Sequence, residues 1–243
     1  MKKKFKLNKK SFKKPAYALA LLAWTVFACF AASYIVSYPM LWILGKLKYS
    51  LPIWTTIRTA LVYILTAVLI IYVPKKIKKE WGTNLKKLGL NQSLTFTDIG
   101  LGFISFIATI IAAGIISSFL QALNLIDVSQ PQDTGFENLY NPMDRVIGFV
   151  ALVIFAPIAE EIIFRGWLYG KLKKYCKTVI AIVLTSILFG FMHGQWNVGI
   201  TVGIMSAIMC VERELTGSIY AGIITHMLKN GIAFWYLYIV LGI

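Results

Sequence analysis

The sequence predicts an all-α polytopic transmembrane helical bundle of seven or eight spans. Of its 243 residues 58% are apolar and only 14% charged, against roughly 25% charged in an ordinary soluble domain. Mean hydropathy is +0.71. The apolar residues also gather in runs of roughly 17 to 28, long enough as helices to cross ~30 Å of hydrocarbon. A soluble enzyme is excluded.

Residues 1–15 read as a basic cytoplasmic tail, with eight lysines in the first 14 positions. The apolar run 16–44 follows, about twice the length of a secretory signal's apolar region, so it reads as a retained first span. Further helices are predicted near 51–73, 98–123, 144–170, 178–193, 197–211 and 217–241, the last as one helix or two shorter ones. The insert 74–97 carries Lys75, Lys76, Lys78, Lys79, Lys86 and Lys87. Its Ile77, Trp81, Leu85 and Leu88 suggest a helix lying on the membrane surface, with a solvated basic connector as the plainer alternative. The loop 124–143 carries Asp127, Asp133 and Glu137 and no Lys or Arg.

Basic loops stay on the cytoplasmic side. The tail, 74–97 and 171–177 are therefore inside and 124–143 outside, an alternation that agrees with the spans up to about residue 211. The reading is an integral, multi-pass cell-membrane protein with a cytoplasmic N-terminus and the lipid bilayer as partner. The net charge of +15 follows from lysines placed beside an anionic leaflet, and no nucleic acid is expected. Cys29, Cys176 and Cys210 form no C-x-x-C pair, so a redox function is not expected. The aromatic residues near 38–54 and 234–238 read as interfacial belts, and Gly199 with Gly203 as a site of close helix packing.

Ionisable residues are costly in lipid and mark function. The densest group lies in A-P-I-A-E-E-I-I-F-R-G. Glu161 and Arg165, four apart, share a helix face, while Glu160 points about 100° away. One carboxylate can be tied by the guanidinium while its neighbour accepts a proton, a layout suited to a general base. Charged residues at the wet end of a span are the plain alternative. Pro157 cannot donate to the Val153 carbonyl, so a kink and an open carbonyl are expected there. The cluster Glu212, Arg213 and Glu214 reads as ordinary loop charge.

The chain's two histidines both fall in apolar runs, where Phe189 and His193 share a face, as do His226 and Asn230. At 1.5 Å per residue Glu160, His193 and His226 come out roughly 16, 22 and 14 Å deep, compatible with one membrane-embedded active-site cavity. Two carboxylates, two imidazoles and a carboxamide can activate water and stabilise an oxyanion.

E-E-x-x-x-R, F-x-x-x-H and H-x-x-x-N, in that order on successive helices, resemble the three motifs of the CPBP (Abi) intramembrane protease family. That family includes the type II CAAX prenyl endopeptidases and bacterial proteins linked to bacteriocin processing or immunity. The likeness spans about 142–232; residues 1–140 match only in being helical, apart from Leu88-Gly89-Leu90, which resembles the family's inner loop. The resemblance divides the chain into the tail, N-terminal helices 16–140 and a catalytic helical core 141–243.

The resemblance implies peptide-bond hydrolysis, with a peptide or membrane-protein substrate. Glu160 would activate water with His193 as its partner, and His226 with Asn230 would face the oxyanion. Glu161, Arg165 and Phe189 would support the geometry. Zinc or another divalent metal, with Glu161, His193 and His226 as candidate ligands, and a metal-free glutamate mechanism both stay open, as does a homo-oligomer. Lys229 departs from the family pattern: it could snorkel, face a polar cavity or mark a helix break, and a pairing with Glu160 or Glu161 would weaken the base. Two other classes compete: a non-catalytic bacteriocin-immunity or regulatory membrane protein on the same scaffold, and a small ion-coupled transporter.

Overall fold

A computed structural model describes residues 9–47, 52–127, 130, 132–134, 136, 139 and 141–242. The first eight residues of the tail and Glu137 lie outside the described residues. Among those described there are only helices, turns and coil. Helices occupy each of the seven predicted stretches, and a single turn, α3 (Leu85–Leu88), lies in the insert between the second and third: α1 (Lys9–Leu47), α2 (Pro52–Ile71, prolonged by Val73–Ile77), α4 (Phe96–Ala122), α5 (Pro142–Leu172), α6 (Thr178–Phe191), α7 (Trp196–Thr216) and α8 (Tyr220–Trp235). α1, α2, α4 and α5 are long and apolar enough to cross a membrane. α6 is apolar but spans 14 residues.

The helix ends follow local chemistry. Thr95 and Asp98 close a capping box at the start of α4. Asn141 caps α5, where Pro142 occupies a first-turn position whose missing N–H costs nothing. Gly217, at φ 68°, ends α7 in the left-handed region that glycine tolerates.

The insert 74–97 is not one surface helix. The short pieces Val73–Ile77, Lys79–Trp81 and Leu85–Leu88 are separated by Lys78 and the Gly82–Asn84 stretch. Trp81 and Leu88 are buried, while Ile77 and Leu85 are exposed. Its apolar residues thus divide between core and surface instead of forming one stripe. Leu88 fits against Gly166 of α5, where an added Cβ would stand 3.1 Å from the Leu88 carbonyl.

α7 packs on α6 and α4, α8 packs on α4, and α1 packs on α2. The α6–α7 contact is close because it is glycine on glycine: a Cβ on Gly199 would meet the Gly190 carbonyl at 2.8 Å. The main core gathers Trp167, Leu168, Phe189, Met205 and Met209 with Leu21 of α1. A second, smaller core joins Phe136 and Leu139 of the 124–141 loop to Val153, Phe234 and Tyr238. Tyr238 therefore departs from the belt reading: it is buried, and its hydroxyl donates to the Phe136 carbonyl at 3.2 Å. Trp235 and Tyr236 stay exposed.

Candidate active site

The site is built on α5, which is not α-helical throughout. Val150–Phe155 and Ile162–Tyr169 are π-helical and frame the α-helical Ala156–Glu161. Proline explains the first slip. The Ala156 N–H bonds the Ala151 carbonyl, five residues back. In that register the next bond would run from residue 157 to the Leu152 carbonyl, and Pro157 has no N–H to give. In the π register the proline leaves the Leu152 carbonyl without a backbone donor, one residue before the Val153 carbonyl expected for an α-register kink. Asn230 of α8 fills the vacancy, its Nδ2 donating to the Leu152 carbonyl at 2.9 Å.

Past the proline, α5 presents the two carboxylates differently. Glu161 is fully buried, and its Oε1 accepts from Arg165 Nη1 at 2.9 Å and lies 3.3 Å from His226 Nδ1. Its close approach to α8 depends on Gly222, where a Cβ would stand 2.9 Å from Glu161 Oε2. Glu160 keeps some exposure, 14% of its side chain. Its Oε1 accepts a hydrogen bond from the Tyr63 hydroxyl of α2. Its Oε2 is buried without a hydrogen-bond partner, 3.7 Å from His226 Nε2. Arg165, Glu161, His226 and Glu160 thus form a continuous chain in which one imidazole bridges two carboxylates.

His193 lies two residues beyond the end of α6, in the turn before Gly194. A carbonyl can only accept, so Nδ1 donates to the Phe189 carbonyl at 2.8 Å, leaving Nε2 with its lone pair. Phe189 is the hub beneath both rings, with centroids 4.9 Å from His193 and 5.8 Å from His226. The Arg165 guanidinium sits 4.3 Å from its centroid. A cavity of about 360 Å³ opens over this group, lined among others by Cys29, Tyr63, Glu160, Phe189 and His193.

Lys229 pairs with neither carboxylate. Its ammonium donates to Gln132 Oε1 at 3.1 Å and lines a separate cavity with Gln130 and Asn197. The three candidate metal ligands have these partners. Glu161 holds Arg165, His226 turns Nδ1 toward Glu161, and His193 Nδ1 is spent on Phe189. Among the described residues no group of three or more His, Cys, Asp or Glu side chains is placed to hold a metal ion. Nδ1 bonds of this kind leave Nε2 of each imidazole available, as in metal-binding histidines.

Two site neighbours escaped sequence reasoning. Tyr63 sits in an ordinary apolar run with no local signature. Glu212 is not loop charge: it lies on α7, 2% exposed, and accepts from Thr225 Oγ1 at 2.9 Å. Its spacing from Met205 and Met209, both buried, would have put it on the inward face of α7 had the helix been carried past residue 211.

Residues 142–232 match the family model described as type II CAAX prenyl endopeptidase Rce1-like, in accord with the three motifs. No curated protein and no solved structure matches the chain.

Proposed function

Starting from a chain that carries a Rce1-like segment at 142–232, we propose that it is a membrane-embedded endopeptidase in which Glu160 activates water. The observation that carries this reading is the division of labour within one carboxylate. Tyr63 fixes Oε1, while Oε2 has no hydrogen-bond partner and lies 3.7 Å from His226 Nε2, and Glu160 lines a cavity together with His193.

In this reading a water in the cavity gives a proton to Glu160 Oε2 as its oxygen attacks the scissile carbonyl carbon. His193, with Nδ1 committed to Phe189, offers the Nε2 lone pair to orient that water. The carbonyl π electrons move to oxygen, and the oxyanion faces Asn230, held in orientation by Leu152, and His226, which stabilises it when Nε2 also carries a proton. When the C–N bond breaks, the proton held by Glu160 goes to the leaving amine. Glu161, itself fixed by Arg165, keeps the His226 ring oriented, as a buried carboxylate does for a catalytic imidazole. No step needs a metal. α6, α7 and α8 complete the bundle as shorter or more polar spans enclosed by the four long ones, and the basic end faces the cytoplasm. The substrate is a peptide or membrane-associated protein segment that reaches the cavity.

The test compares cellular and secreted peptides from cells expressing wild type or Glu160→Ala at equal membrane abundance. Specific products that vanish in the variant while their precursors accumulate support the proposal. Identical peptide profiles, with a deletion phenotype that both proteins rescue, overturn it in favour of a binding or regulatory role.

A further inference from the structure

A second concavity lies away from the Glu160 site, at the end of the bundle where α5 and α7 finish and the 83–90 segment crosses beneath them. It has a volume of about 360 Å³. Its cationic lining is Lys86, Lys87, Lys171, Lys173, Lys174 and Arg213, against one carboxylate, Glu214. Neighbouring groups offset only one of these six cations. Glu214 pairs with Lys173. The carboxylate of Glu80 is turned to Lys78 at 3.2 Å, and that of Glu212 accepts from Thr225.

The cleft also has a fixed frame. Lys171 is 3% exposed, and its ammonium is held by carbonyls alone, Gly82 at 2.5 Å and Glu80 at 3.4 Å. Arg213 is clamped to the carbonyls of Gly217 and Lys87, and lies so close over Gly89 that a Cβ there would strike the guanidinium. Carbonyls orient these cations without cancelling their charge. The ammonium groups of Lys86, Lys87 and Lys174 have no partner among the described residues. A buried ammonium facing uncompensated cations is costly, and an anion in the cleft offsets that cost.

We propose that this cleft binds the phosphodiester headgroup of an anionic phospholipid. Position selects a lipid over a free anion. The cleft sits at the ends of the apolar helices α5 and α6, at the level where headgroups meet water. Basic pockets between helices at that level are suited to phospholipid headgroups. The lipid would brace the inner end of α5, four residues from Arg165, through Tyr169 and Gly170, which line the cleft. The binding claim stands independently of the proposed proteolysis.

The test is native mass spectrometry of the full chain, exchanged between dioleoyl-phosphatidylglycerol and dioleoyl-phosphatidylcholine. Three proteins are compared: wild type, Lys86→Gln/Lys87→Gln/Lys174→Gln, and the control Lys75→Gln/Lys76→Gln/Lys79→Gln, whose exposed lysines lie outside the cleft. Wild type and control should retain phosphatidylglycerol over phosphatidylcholine by about tenfold or more, and the cleft variant should lose most of that preference. All six substitutions are on exposed side chains, and matching unfolding temperatures in phosphatidylcholine check that the fold persists. Equal retention of the two lipids overturns the proposal. So does an equal loss in both variants, which would mean diffuse charge, or displacement by millimolar inorganic phosphate, which would mean a free-anion site.

Discussion

Tyr63 and Glu160 stand 97 positions apart in the chain, yet the phenol donates its hydrogen bond directly to the carboxylate. The donor comes from α2, outside the matched residues 142–232. The N-terminal half therefore supplies part of the site as well as its walls.

If the phenol positions the base, Tyr63→Phe keeps the packing and loses only the donor. A hydrogen bond to a charged group is worth about 1.5–3 kcal/mol, so kcat should fall roughly ten- to hundredfold with KM within about twofold. The substrate for this assay is the precursor that accumulates in Glu160→Ala cells. Unchanged kcat would reduce Tyr63 to a packing residue.

Arg165 and Glu161 are both buried, and breaking such a pair on one side leaves an uncompensated charge. Arg165→Met alone should destabilise the protein by about 3–5 kcal/mol, seen as a lower midpoint of thermal unfolding in detergent. Glu161→Gln/Arg165→Met should recover most of that loss while activity stays low, because His226 then lacks its orienting carboxylate. A double variant no more stable than the single one would contradict the pairing.

The α6–α7 contact tolerates no side chain at Gly199 without moving the Gly190 backbone. Gly199→Val should cost about 1–3 kcal/mol through overpacking. Gly114→Ala, where nothing lies within 4 Å of an added Cβ, serves as the neutral comparison. Equal stability of both variants would remove the contact.

Cys176 lies between α5 and α6, and its thiol donates to the Leu172 carbonyl at 3.3 Å. Burial pushes this thiol above its ordinary pKa, so less thiolate is present at any given pH. Alkylation by iodoacetamide at pH 7.5 should run several-fold slower than for a free cysteine peptide and should accelerate as pH rises toward the elevated value. Intact-mass measurement follows it, and a rate equal to that of the peptide would refute the burial.

The legible parts of the site were those written in helical spacing. Glu161 and Arg165 stand four apart and meet on α5, and Phe189 and His193, also four apart, meet across the end of α6. What stayed hidden depended on partners far along the chain. Tyr63 has no local mark because its meaning lies on α5, and Lys229 could not be placed before Gln132 was seen beside it. Pro157 announced a disturbed backbone, but the direction of the disturbance was not readable. A missing N–H can be met by a bend or by a change of register, and the Asn230 amide favours the second. The insert 74–97 misled for another reason: its apolar residues mimic a stripe only if the backbone is helical across Lys78 and Gly82.

The two π stretches of α5 also bear on how this helix can change length over evolutionary time. A π turn holds one residue more than an α turn spanning the same arc, so deleting a residue from 150–155 can be absorbed by reversion to α geometry, leaving both flanks in phase. A deletion within Ala156–Glu161 has no such slack and would swing Glu160 about 100° around the axis. Homologous chains should therefore carry their gaps in the two flanking stretches and keep the six residues between them uninterrupted.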